Sequence, residues 1–293
     1  MTTIFSAPKR RVRVIIGTMN FHFSKMHGLG NDFIVLSNPS GHTFDSQHMA
    51  ALAHRKTGIG FDQALIVEPP QTPDMDFFYR IFNADGSEVE QCGNGARCLA
   101  AWQSRQTNQF DHTWRMGSPA GIVHGVCDQH GQASVAMGQP LFEPAQIPFV
   151  AETDALTHAI DVGGNSMMVS VVSMGNPHVV LDVADVLLAP VATLGPSLER
   201  HPRFPNRVNV GFMQVVNTQH IKLRVFERGV GETAACGTGA CAAVAVGRRR
   251  GLLTDTVRVD LPGGALTVRW SGGNDALWLS GPTAFVFEGD LYS

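Results

Sequence analysis

Short runs of apolar and β-branched residues, broken every few positions by Gly, Pro or Asn, dominate the chain. Ile34-Val35-Leu36, Ala64 to Val67, Phe77 to Phe82, Val169 to Val172, Val179 to Leu181, Ile221 to Phe226, Val257 to Leu261 and Leu266 to Trp270 have the length and residue types of strands. Helical periodicity is rarer. It predicts helices over Ser46 to Lys56, Gly95 to Arg105 and Gly239 to Arg250, with basic residues near the C-terminal ends, where they suit the negative end of the helix dipole. The pattern describes an α+β chain built mainly of strands.

Two of the helices are introduced by almost the same residues. Tyr79 to Ala96 aligns without gaps on Leu223 to Ala240 at an offset of 144, the separation of Cys92 and Cys236. Arg80/Arg224, Phe82/Phe226, Glu88/Glu232, Cys92/Cys236, Gly93/Gly237, Gly95/Gly239 and Ala96/Ala240 are identical. A weaker echo relates Gly30-Asn31 through Leu36 to Gly175-Asn176 through Leu181, at an offset of 145. Two nearly equal offsets imply one fold used twice, and a length of 293 residues suits two domains of ordinary size.

Charge narrows the function. Only 16% of residues are charged and the net charge is −3, so neither nucleic acid nor an anionic membrane surface is the expected partner. No run approaches the ~18–20 apolar residues of a membrane span, and Lys9 to Ile16 is too short to be a signal peptide. Five cysteines, an odd and sparse number, point to a reducing compartment such as the cytoplasm rather than to a disulfide framework. A small-molecule site is the expectation.

The repeated Cys-Gly-X-Gly-Ala says what such a site would do. At a helix start the unpaired backbone N–H groups and the positive dipole end form an anion cradle, and the same field lowers a thiol pKa. One copy alone is equally well explained by a small residue at a tight helix start. Two equivalent copies, converging on a cleft between domains, would approach one carbon from opposite faces, one thiolate removing an α-proton and the other thiol delivering one. The helix ends would stabilise the developing charge. Cys98, Cys127 and Cys241 read as packing residues, and Glu88 and Glu232 as turn or helix-start carboxylates. No dinucleotide fingerprint, P-loop, Cys-x-x-Cys or metal-ligand cluster is present in the sequence, so neither cofactor nor metal is expected. The alternatives are a redox protein cycling a Cys92–Cys236 disulfide and a non-catalytic anion-binding protein.

Longer strings add a resemblance. Lys25 to Phe33, Gly60 to Gln63, Asn83 to Ser87, Cys92 to Arg97, Met174 to His178, Arg207-Val-Asn209, Glu227-Arg228 and Gly231 to Ala240 closely resemble the diaminopimelate epimerases, and the resemblance runs from about Phe21 to the C-terminus. It implies two pseudo-symmetric domains, each a mostly antiparallel barrel-like sheet around a central helix, with the last strand returning to the first domain. The expected division is an extension over 1–18, with Met19 an alternative start, a first domain over 19–136 joined by 280–293, and a second over 137–279. The implied reaction is cofactor-independent interconversion of LL- and meso-diaminopimelate, a step toward lysine and peptidoglycan precursors, by a cytoplasmic homodimer.

The resemblance also implies roles. Cys92 is the base toward the LL isomer and Cys236 the proton donor, with Gly93-Asn94 and Gly237-Thr238 holding the reacting carboxylate. Asn31, Gln63, Asn83, Asn176, Asn209, Glu227 and Arg228 bind the rest of the substrate, Arg228 as a carboxylate partner and Glu227 as an ammonium partner. Glu227 stands where the first half has Asn83, so the symmetry breaks where an asymmetric substrate requires it. His178 and Glu227 resemble residues that tune the thiols. A proline or hydroxyproline racemase is the neighbouring alternative, since such an enzyme has no second amino-acid end to clamp.

Overall fold

The structure, a computed structural model, describes residues 12–15, 20–38, 40–90 and 92–292. Apart from a strand at Val12–Ile15, the expected extension over 1–18 and the alternative start at Met19 lie outside the described residues. The chain divides into two compact units, Met1–Ala133 with Thr283–Ser293, and Ser134–Pro282.

The first unit contains β1 (Val12–Ile15), β2 (Asn20–Gly28), β3 (Asn31–Ser37), α1 (Ser46–Ala53), β4 (Gln63–Glu68), β5 (Phe77–Asn83), β6 (Glu88–Val89), α2 (Gly93–Thr107), β7 (Trp114–Ser118) and β8 (Gly121–Cys127). Strand β9 (Gln132–Ala136) straddles the division. The second unit contains β10 (His158–Val162), β11 (Asn165–Ser173), β12 (Pro177–Asp182), α3 (Val191–Glu199), β13 (Asn209–Asn217), β14 (His220–Glu227), β15 (Gly231–Thr233), α4 (Gly237–Arg249), β16 (Thr256–Leu261), β17 (Gly264–Arg269) and β18 (Trp278–Pro282). The final strand β19 (Ala284–Tyr292) belongs to the first unit, between β1 and β2.

Taken separately, the two units share one order of pairings. In the first, β2–β3, β4–β5, β5–β6 and β7–β8 are antiparallel, while β3–β4 and β5–β7 are parallel. In the second, β11–β12, β13–β14, β14–β15 and β16–β17 are antiparallel, while β12–β13 and β14–β16 are parallel. Parallel neighbours need a crossover connection, and the four helices fill those crossovers. Thus α1 and α3 are equivalent, as are α2 and α4.

Helices α2 and α4 are the buried ones. Residues Gly93 to Trp102 lie inside the first unit, against β2, β3, β4 and β8. In the second, Ala240 to Gly247 lie against β11, β12, β13, β14 and β17, a run of small residues that lets strands approach from several sides. A helix of small and apolar residues all round, as α4 is through Gly247, belongs in a core.

Several helix boundaries differ from expectation. Helix α1 stops at Ala53 instead of reaching Lys56, because His54 turns extended and its ring Nδ1 accepts the Thr57 N–H at 3.1 Å. Helices α2 and α4 begin at Gly93 and Gly237, two residues before the predicted Gly95 and Gly239, directly after their cysteines. Helix α3 carries no amphipathic signal strong enough to predict it, since Gly195 and Pro196 read as breakers. Gly195 is there for space: a Cβ would stand 2.7 Å from the Phe226 ring on β14. Glu88 and Glu232 are neither capping groups nor site groups. Each makes a two-pronged ion pair across its hairpin, with Arg80 and with Arg224. No described helix is long and apolar enough to cross a membrane.

Candidate active site

Each repeated cysteine is the N-cap of a buried helix. Cys92 is extended (φ −149°, ψ 111°) and its Sγ accepts the Gly95 N–H at 3.5 Å. Cys236 is likewise extended (φ −116°, ψ 109°). Both therefore sit where the first-turn N–H groups are free of intrahelical partners.

Around Cys92, Asn31 and Asn94 come together. Asn94 Nδ2 donates to Asn31 Oδ1 at 3.3 Å, and the Cys92 thiol is 4.0 Å from the same oxygen. The other end of the Asn31 amide is tied down, Nδ2 donating to Asp62 Oδ2 at 3.0 Å. Asp62 in turn belongs to an ionic cluster: Asp32 N donates to it, Arg55 bridges Asp62 and Asp32, and buried Lys25 pairs with Asp32. Burial opposes ionisation of Asp32, but hydrogen bonds from Arg55 and Lys25 outweigh it and hold the carboxyl well below the usual range. Gln63 and Asn83 face each other across β4 and β5, Gln63 Nε2 donating to Asn83 Oδ1 at 2.9 Å. Gln63 Oε1 and Asn94 Oδ1 are buried with no hydrogen-bond partner among the described residues. Unsatisfied acceptors of this kind cost about 1–3 kcal/mol each, an outlay that a bound donor would recover.

Around Cys236 the partners differ. Its thiol donates to Glu227 Oε2 at 3.1 Å, and Thr233 Oγ1 donates to the other Glu227 oxygen. Thr238 Oγ1 lies 3.6 Å from the sulfur and accepts from Asn176 Nδ2 at 3.4 Å. Asn176 Oδ1 meets His178 Nε2 at 2.9 Å. A relay thus runs from His178 through Asn176 and Thr238 to Cys236, and His178 touches the thiol only through it. Asn209 braces the backbone here, its Nδ2 donating to Pro177 O and its Oδ1 accepting the Arg228 N–H at 2.9 Å. Arg228 is exposed; its guanidinium donates to Asn206 O at 3.1 Å and pairs with no carboxylate among the described residues.

One electrostatic expectation is corrected. The helix start was expected to stabilise a thiolate, yet the Cys236 thiol is pushed well above its ordinary range. Burial is the largest cause; the Glu227 carboxylate adds to it and outweighs the bonds from Thr238 and the Gly239 N–H. Cys236 rests as a neutral thiol. The three packing cysteines are buried, with burial raising Cys98 to about 12 and Cys127 to about 11. None of the five cysteines is in a disulfide.

His178 is pushed down to about 3, by burial first and by the Arg228 charge second, so it is neutral at physiological pH. An unfolded chain takes up the imidazole proton near 6.5, whereas the folded chain refuses it until about 3, so stability falls as pH drops through that window. The slope is up to about 1.4 kcal/mol per pH unit. Urea titrations of His178→Gln between pH 6.5 and 4 are expected to lack that contribution; an unchanged slope would show that His178 is charged in the fold.

The family model described as "Diaminopimelate epimerase" matches residues 23–143 and 170–286. The diaminopimelate epimerase of Ectopseudomonas mendocina is 53% identical over 274 residues, covering 93% of this chain and 99% of that protein. The diaminopimelate epimerase of Pseudomonas aeruginosa strain PAO1 is 52% identical with the same coverage. The chain belongs to the diaminopimelate epimerase family. The fold extends beyond that family: a hydroxyproline epimerase from Agrobacterium vitis superposes with a TM-score of 0.66 at 16% identity, over 92% of both chains. A phenazine biosynthesis protein from Bacillus anthracis gives 0.65 at 15% identity, over 94% of this chain and all of that one. Within the diaminopimelate epimerase family's strings, sequence reasoning passed over Asp32, Asp62 and Thr233. The first two adjoin Asn31 and Gln63, which was the available signal.

Proposed function

We propose that the chain interconverts LL- and meso-diaminopimelate with its own side chains. The observation that carries the reading is that a cysteine caps a buried helix twice, at equivalent points of two units with one topology. Cys92, as thiolate, takes the α-proton of the LL isomer, and Cys236 delivers its thiol proton to the opposite face of the same carbon. The electron pair of the broken C–H bond is held by the substrate as a carboxylate-stabilised carbanion and then forms the new C–H bond. Cys92 ends as thiol and Cys236 as thiolate, and the reverse reaction exchanges the roles.

The protonated resting state of Cys236, donating to Glu227, supports its part as donor. The first N–H groups of α2 and α4, at Gly93-Asn94 and Gly237-Thr238, suit the reacting carboxylate, where negative charge grows in the transition state. At the far end of the substrate, Arg228 offers a guanidinium with no carboxylate partner among the described residues, and the unsatisfied Gln63 Oε1 offers an acceptor to an ammonium. Asn31, Asn83, Asn176 and Asn209 complete the polar lining in this reading, and His178 and Glu227 set the protonation of Cys236. A proline-type racemase would leave Arg228 without a task, so diaminopimelate is favoured. The same reading has the enzyme acting in the cytoplasm, as the absence of disulfides suits, and as a homodimer.

Reduced protein incubated with LL-diaminopimelate and sampled by chiral chromatography is expected to accumulate meso isomer until the two equilibrate. Absence of meso isomer would contradict the proposal.

A further inference from the structure

Glu199, the last residue of α3, is a carboxylate with no assigned task in a place that carboxylates avoid. Its side chain is only 3% exposed, and glutamate is almost never so buried unless its oxygens are engaged. They are engaged by the segments that hold Arg228. Oε1 accepts the Gly229 N–H at 2.7 Å and lies 3.8 Å from Arg207 Nη1, while Oε2 lies 3.4 Å from Arg200 Nε.

The first of these contacts is the specific one. Val230 N donates to Glu227 O at 3.1 Å, closing a turn with Arg228 and Gly229 at its centre. Gly229 has φ +76°, the value required at the third residue of a type II turn and one that glycine adopts without strain. The N–H groups of Arg228, Gly229 and Val230 are all claimed: Arg228 N by Asn209 Oδ1, Gly229 N by Glu199 Oε1 and, within the turn itself, Val230 N by Glu227 O. On the opposite side, the Arg228 guanidinium rests on Asn206 O, next to Arg207, whose φ of +57° is unusual for a residue with a Cβ. The Glu199 carbonyl also accepts the Val208 N–H at 3.2 Å. One buried residue thus braces both the turn that carries Arg228 and the loop on which its guanidinium lies.

We infer that Glu199 is a positioning residue for Arg228, fixing where the guanidinium meets the distal carboxylate of the substrate; this rests on the epimerase reading above. Glu199 touches no substrate and exchanges no proton. Its effect passes through a backbone N–H, so an uncharged acceptor of the same length serves in its place.

The test is steady-state kinetics on the full chain with LL-diaminopimelate, with unfolding transitions run in parallel. Glu199→Ala is expected to raise KM about tenfold with a smaller loss in kcat, the pattern of weakened remote binding. Glu199→Gln, which keeps the acceptor, is expected to stay within about threefold of wild type. Glu199→Asp, which keeps the charge and loses the reach, is expected to fall between the two, and it decides the matter with Glu199→Gln if the alanine variant does not fold. The discriminating arm is the Arg228→Ala background, where Glu199→Ala should change KM no further, because the residue through which it acts is gone. An unchanged KM in folded Glu199→Ala, a Glu199→Gln variant as impaired as Glu199→Ala, or the same increment in both backgrounds would overturn the assignment. Wild-type protein inactive on diaminopimelate would overturn the epimerase reading itself, and the assignment with it.

Discussion

Replacement of Cys92 or of Cys236 by alanine is expected to cripple epimerisation, with turnover falling by about 10²–10⁴-fold. In the proposed reaction each thiol performs a different half, so neither covers for the other, and the double variant should be no worse than either single one. Both cysteines are N-caps whose neighbours remain in place after truncation: the Ala96 N–H still bonds the carbonyl of residue 92, and the Ala240 N–H that of residue 236. The variants should therefore fold. A finer signature separates chemistry from damage. With one thiol left, the isomer whose α-hydrogen faces it can still exchange that hydrogen with solvent and recapture it on the same side. Slow deuterium uptake without inversion is expected for one isomer in each variant, and for opposite isomers in the two. Full epimerisation by either single variant would refute a two-thiol reaction.

Loss of the Arg228 guanidinium is expected to have the next largest effect. An exposed arginine that donates only to Asn206 O among the described residues can meet the substrate carboxylate that the proposed reading assigns to it. Removing a charge-assisted bidentate contact costs about 1.5–3 kcal/mol, equivalent to a factor of roughly ten to a hundred and fifty in affinity. Arg228→Ala should raise KM for diaminopimelate by about a hundredfold on that scale, with a further loss in kcat, because binding far from the reacting carbon helps to orient it. Lysine should be a poor replacement, since a point charge cannot reproduce the fork. A KM left within threefold of wild type by Arg228→Ala would remove Arg228 from the site and return the proline-type alternative to consideration.

The residues legible in the sequence were those whose role follows from local spacing. The two Cys-Gly-X-Gly starts, the strands around them and their repetition at one offset all lie within short windows, and the equivalent N-caps and equivalent pairings are their counterparts in the structure. What could not be read depended on contacts distant in sequence. Helix α3 was hidden by Gly195 and Pro196, and only the nearness of Phe226 explains why a glycine is needed there. The protonation of Cys236 was misjudged because a helix start predicts a lowered thiol pKa, while burial and Glu227 act in the opposite sense and are stronger. No local spacing marks what Asp62 and Glu199 hold in place. Their partners, the Asn31 amide and the Gly229 N–H, are 31 and 30 residues away along the chain.

The central claim is that one group removes the α-proton and a different group supplies its replacement. It is tested most directly by running the reaction from LL-diaminopimelate in deuterated water and analysing both isomers by mass spectrometry before a tenth of the substrate has turned over. The account predicts meso product carrying one deuterium at the inverted carbon, and recovered LL substrate still carrying protium there. Product that retains the substrate's own proton, or deuterium entering LL substrate as fast as meso product forms, would show a single base acting on both faces and would contradict the account.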